Sequence, residues 1–152
     1  MDLVIARLVH VLAVVLWIGG VGLVALVLLP QLRAEPDAAA AFARFRDVVR
    51  RFAAIARWLV ALAGIAGLHM LARLDAWGRF AVPRFWWMHA MVALWTVFFL
   101  VLFVAQPLAE RRDPAPDDPA RALRLAQRAH WVLLAASLVT VAAAVAGAHG
   151  GL

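Results

Sequence analysis

The stretch Leu3-Val-Ile-Ala-Arg7-Leu-Val-His10-Val-Leu-Ala-Val-Val-Leu-Trp17-Ile-Gly19-Gly20-Val-Gly-Leu-Val-Ala-Leu-Val-Leu-Leu29 is apolar apart from Arg7 and His10. It is longer than the ~20 residues that cross roughly 30 Å of hydrocarbon at the α-helical rise. Three further runs of the same kind follow: Phe52–Leu74, Phe85–Leu108, and one from about Ala122 to Ala148. A membrane strand needs only about ten residues and alternates in polarity, which these runs do not. The expected fold is therefore all-α: a single integral-membrane four-helix transmembrane bundle over residues 1–152, with spans at about 3–29, 52–74, 85–108 and 122–148.

Composition agrees. Hydrophobic residues make up 66% of the 152 positions, against about half in soluble globular proteins. There is no cysteine, which excludes thiolate ligands, disulfides and iron–sulfur clusters. All 15 basic residues are arginine, so no lysine base or Schiff base is available. The formal charge of +6 does not point to nucleic acid, because the arginines crowd the ends of the apolar runs, where a membrane explains them. The first run exceeds the length of a signal peptide and lacks a small-residue cleavage site, so we expect it to be retained as a span.

Between the runs, Pro30 and Pro36 are expected to end the first helix. Phe42, Phe45, Val49 and Phe52 then share one face, with Arg44, Arg46, Arg50 and Arg51 elsewhere. Residues 38–51 read as an amphipathic interfacial helix continuous with the second span. The connection from Asp75 to Arg84 is short. The one from Ala109 to Asp118, with Pro114 and Pro116 and followed by Pro119, reads as a solvated turn. Arg33, Arg44, Arg46, Arg50 and Arg51 lie in the first connection, and Arg111, Arg112, Arg121, Arg124 and Arg128 flank the third; the opposite side has Arg7, Arg73, Arg79 and Arg84. The positive-inside rule places the first set in the cytoplasm and both termini on the non-cytoplasmic side, in a bacterial inner membrane. Trp77, Trp86 and Trp87 are expected in an outer aromatic belt, whereas Trp17, Trp58, Trp95 and Trp131 lie deeper, packed between helices or against a flat cofactor, with ordinary packing favoured.

With that orientation, His10, His69, His89 and His149 fall near one outer level, one from each span, and only His130 lies towards the other side. A lone histidine in a membrane is usually a hydrogen-bonded packing residue. Four at one level ask for a shared partner, a metal or a haem. Imidazole-only ligation suits haem iron, copper or zinc. Arg7, Arg73 and Arg84 stand close to His10, His69 and His89; arginine matches propionate carboxylates, whereas three cations would repel a bare metal ion. They also read as ordinary helix-end anchors. The balance favours haem b over copper, with His10, His69 and His89 as the candidate metal ligands, and His149 as a weaker neighbour.

The segment Arg7-Leu-Val-His10 through Trp17-Ile-Gly19-Gly20 resembles the first membrane helix of two related families, the copper resistance D-like (CopD-like) proteins and the HemJ-type protoporphyrinogen oxidases. Trp87-Met88-His89-Ala90-Met91 is similar to the Trp-Leu-His-Ala-Lys segment of the HemJ type. The Phe52-to-Leu71 stretch, after Arg51, is similar more loosely to the second helix of the copper family. The resemblance implies a four-helix membrane bundle, with haem b on His10 in one branch and copper handling in the other. Met91 stands where the HemJ pattern has its lysine, so porphyrinogen oxidation is not expected. Only four methionines occur, where the copper branch is methionine-rich. The expectation is a cytochrome b-type oxidoreductase or electron-transfer protein with no catalytic side chain of its own. A quinol or a periplasmic redox protein would be its partner, with association into a homo-oligomer open and copper homeostasis or transport the alternative.

Overall fold

The computed structural model describes residues 1–112 and 116–150, and of Arg112 the backbone alone. Among the described residues there is no strand. Four helices are each long and apolar enough to cross a membrane: α1 (Asp2–Arg33), α2 (Ala38–Arg73), α3 (Pro83–Arg111) and α4 (Pro119–Ala148). Sequential helices pack side by side, α4 returns to α1, and α2 touches α4 across the middle. Their outward faces are apolar, as at Val4, Leu8, Val11, Leu12 and Val15 on α1. Such a surface suits hydrocarbon better than water.

The seam at the centre is built from small residues. Ala53, Ala56, Val60 and Ala63 of α2 are each at most 1% exposed, and with Gly67 they repeat at spacings of three and four, one face of a helix. Small side chains let backbones approach closely, the usual means of packing helices where no water drives them together. Trp17, Ile18, Val21 and Ala25 of α1, Phe98 and Leu102 of α3 and Leu134 of α4 close the core around that seam. Aromatic rings fill the notches left by glycine: a Cβ at Gly64 would lie 2.7 Å from the Trp95 ring, and one at Gly147 would collide with Trp87 Nε1. Trp95 also donates its indole N–H to the Val60 carbonyl at 2.8 Å.

Helix ends are set by local chemistry. Asp37 accepts from the backbone N–H groups of Ala39 and Ala40 and starts α2, and Asp118 accepts from Arg121 N–H and starts α4; both are favoured N-caps. Of the stretch expected as a turn, Ala109–Arg111 instead continue α3, and Pro119, just after it, occupies the first turn of α4, where its missing N–H costs nothing. After α2, Asp75 adopts φ 46°. Asp75 N–H reaches the Ala72 carbonyl and Ala76 N–H reaches that of Leu71, the paired bonds of a Schellman ending. A short 3-10 turn, Trp77–Ala81, then leads to α3, whose first residues, Pro83–Phe85, are themselves 3-10. Residues 38–51 are continuous with the second apolar run in one helix. Pro114 lies outside the described residues.

One expectation is corrected here. Pro30 does not end α1, which continues to Arg33. The reason is a π-helical turn at Val24–Leu28, directly before it. In that turn Leu29 N–H bonds the Val24 carbonyl, so the Ala25 carbonyl would look to residue 30, a proline without a donor. Gln127 of α4 supplies the missing bond, its Nε2 donating to Ala25 O at 2.6 Å. The arrangement recurs in α3. A π turn at Val101–Ala105 precedes Pro107, Gln106 N–H bonds the Val101 carbonyl, and Arg57 Nε of α2 donates to Leu102 O at 2.9 Å.

Replacing Gln127 by leucine should cost about 1–2 kcal/mol of stability, because a buried carbonyl loses its donor. The same change in a Pro30→Ala background should cost much less, since residue 30 then brings its own N–H. Unfolding in mild detergent measures both, and an undiminished cost in the Pro30→Ala background would refute the account.

Candidate functional site

His10 lies half-buried between α1 and α2. Its Nδ1 is 2.8 Å from the carbonyl oxygen of Ala63, and its ring lies flat enough on the small seam that a Cβ at Gly67 would stand 3.4 Å from Cε1 and Nδ1. A carbonyl can only accept, so Nδ1 carries a proton, and in the neutral ring Nε2 is the nitrogen with the lone pair. Histidines that bind metals are oriented by this same bond from the other ring nitrogen. A methyl group at position 67 would just touch the ring, and a branched side chain there would crowd it against Ala63.

The remaining histidines each have separate surroundings. His69 is exposed near the end of α2, its Nε2 3.7 Å from Asp2 Oδ2. Asp2 also accepts from Arg73 Nε at 2.8 Å, so a carboxylate absent from the sequence-based site ties the start of α1 to the end of α2. His89 is exposed at the start of α3 and stands edge-on to Phe80, centroids 5.1 Å apart. His149 is exposed and its Nδ1 is 2.8 Å from the Val145 carbonyl of its own helix. His130, at the opposite end, bonds the Ala126 carbonyl in the same way and meets Phe45 edge-on. Arg7 and Arg84 are exposed near the histidine-bearing end. Among the described residues no three histidine, aspartate or glutamate side chains converge as a metal site.

A haem needs an axial imidazole and room for a flat macrocycle. His10 Nε2 meets the first requirement, and Arg7, Arg73 and Arg84 are cations of the right kind at the same end. The second is not met in this packing: beside His69 there is a shallow groove of about 350 Å3 along Ile5, Val9, Leu62 and Ile65, and a larger cavity of about 740 Å3 lies at the other end, beside Phe42 and Arg50. The residues thus fit haem in donor chemistry without enclosing it.

The tryptophans divide differently from expectation. Trp17 is 3% exposed and stands edge-on to Phe98, and Trp95 packs on α2. Trp58 and Trp131 instead face outward, 74% and 48% exposed, and Trp87 turns inward against Gly147. A ring's direction follows its helix face as well as its depth, and depth alone does not place these three. Arg57 and Gln127 are functional in the packing without standing out by spacing, although a strongly polar residue inside an apolar run opposite a helix proline is a readable signal.

Nitrogen-15 NMR of the histidine-labelled protein should show His10 as the neutral Nδ1–H tautomer, and a Gly67→Val chain should lose that signature. An Nε2–H tautomer would remove His10 as a ligand candidate. Comparison of the chain with protein-family models, with curated proteins and with solved structures finds no match in any of the three.

Proposed function

We propose that this chain is a multi-pass protein of a bacterial inner membrane, with both termini on the non-cytoplasmic side, that binds haem b through His10 and serves electron transfer. One observation carries the reading: the Ala63 carbonyl holds the His10 ring from Nδ1, which leaves Nε2 as a donor inside an otherwise apolar interface. A haem held there would supply one-electron chemistry. His69 or His89 would be the second imidazole to hold it, with His149, directly after α4, as a weaker candidate. Arg7, Arg73 and Arg84 would hold the propionates; Arg73 commits its Nε to Asp2 and keeps further guanidinium donors. Asp2 and Arg73 together fasten the α1–α2 pair that carries His10 and His69. A lipid-soluble quinol or a periplasmic redox protein is the donor that an outer site would meet.

The arginine distribution supports the orientation, and a reporter active only outside the cytoplasm tests it. Fused at the C-terminus it should work, and fused near Ala115 it should fail; the reverse pattern inverts the topology. An absorption spectrum, oxidised and dithionite-reduced, tests the cofactor. The purified protein should show a low-spin haem b in both states with little response to carbon monoxide. His10→Ala should lose most of the haem, and His130→Ala should leave the spectrum nearly unchanged. A colourless protein that takes up copper would refute haem and support the copper-homeostasis reading.

A further inference from the structure

At the arginine-rich end of the bundle, the first turns of α2 and the last turns of α3 stand apart and leave a groove of about 740 Å3. That is within the size range of sites for small molecules, roughly 300–1,000 Å3. Its apolar wall is Phe42, Phe45 and Val49, whose side chains are partly or fully buried. Its rim carries both signs of charge. Arg46, Asp47 and Arg50 stand on the α2 side, where Asp47 is held between Arg50 at 2.8 Å and Arg51 at 3.1 Å. Glu110 stands on the α3 side and accepts from Gln106 Nε2 at 3.2 Å.

Those charges decide what the groove suits. A purely anionic ligand would gain the arginines and be repelled by Glu110, since Asp47 is already paired with two arginines. A simple cation would meet the reverse, and an uncharged lipid would desolvate both sets without compensation. A molecule with a phosphate, an ammonium a few ångströms away and an apolar tail answers all three features. Arginine is the side chain that matches a phosphate. A carboxylate distinguishes a primary ammonium, which has three N–H donors, from a quaternary one, which has none. We propose that this groove binds an ethanolamine phospholipid, with the phosphate at Arg46 and Arg50, the ammonium at Glu110 and the acyl chains leaving past Val49 towards the apolar part of α2. The proposal rests on the membrane setting and is independent of haem.

The test is native mass spectrometry of the detergent-solubilised full chain, offered equal amounts of phosphatidylethanolamine, phosphatidylcholine and phosphatidylglycerol. Retention of the ethanolamine lipid should exceed that of the choline lipid about tenfold, the worth of one charge-assisted hydrogen bond. Glu110→Gln should remove that preference while phospholipid is still retained, and Arg50→Ala should lower retention of all three. Both positions are exposed, so neither substitution threatens the fold. Equal retention of the ethanolamine and choline lipids, dominance of phosphatidylglycerol, or a preference that survives Glu110→Gln would each overturn the proposal. A chain recovered from the soluble fraction would overturn the membrane setting first, before any lipid is added.

Discussion

The Ala25 carbonyl oxygen faces a residue with no hydrogen to give. In an apolar surrounding such an oxygen must find a donor, or the structure bears the full penalty of desolvating it. Gln127 answers it from α4 and so fixes the height of α4 against α1. Arg57 answers the corresponding oxygen of Leu102 and does the same for α2 against α3. Apolar side chains alone would let neighbouring helices slide by a turn at little cost, since one aliphatic surface resembles the next. Each directional bond selects the register of its own pair of helices, and the contacts of His10 with Ala63 and of Arg73 with Asp2 join α1 to α2.

The small seam of α2 acts on the same geometry from the other direction. Ala53, Ala56, Val60, Ala63 and Gly67 bring α1 close enough for the His10 ring to reach a backbone carbonyl. A larger residue at Ala63 or Gly67 would separate the helices and leave the ring without that oxygen. The orientation of the one well-placed imidazole is thus a product of packing and not only of the residue itself. Asp2 with Arg73 closes the same pair of helices at its end, in an exposed setting where an ion pair adds modestly to stability.

Much of the fold was legible in the sequence because long apolar runs are a signal that length and composition suffice to read. The continuity of residues 38–51 with the following run could be read from the phase of Phe42, Phe45, Val49 and Phe52. What could not be read was the behaviour at Pro30. The rule that proline ends a helix holds when residue 30 must donate to the fourth residue before it, and a π turn moves that obligation to a partner on another helix. For the site, depth along each run placed four histidines at one end but said nothing of the direction in which each ring points. Only His10 lies on the face that meets α2. His69, His89 and His149 point to exposed surroundings, and their direction depends on helix rotation, which single-residue spacing does not determine.

The two π turns also have a meaning in terms of phase. A π turn holds one residue more than the α-helix needs, and one residue turns a helix by about 100°. In α1 the surplus lies between the stretch bearing His10 and Trp17 and the stretch bearing Leu29 and Leu32; in α3 it lies after the stretch bearing His89 and Trp95. Each surplus residue therefore acts as a clutch between the two halves of its helix. It lets the arginine-rich end and the histidine-bearing end present independently chosen faces to the same neighbours. The Gln106–Glu110 stretch at the groove is thereby turned, relative to an unbroken helix, against the stretch that bears His89.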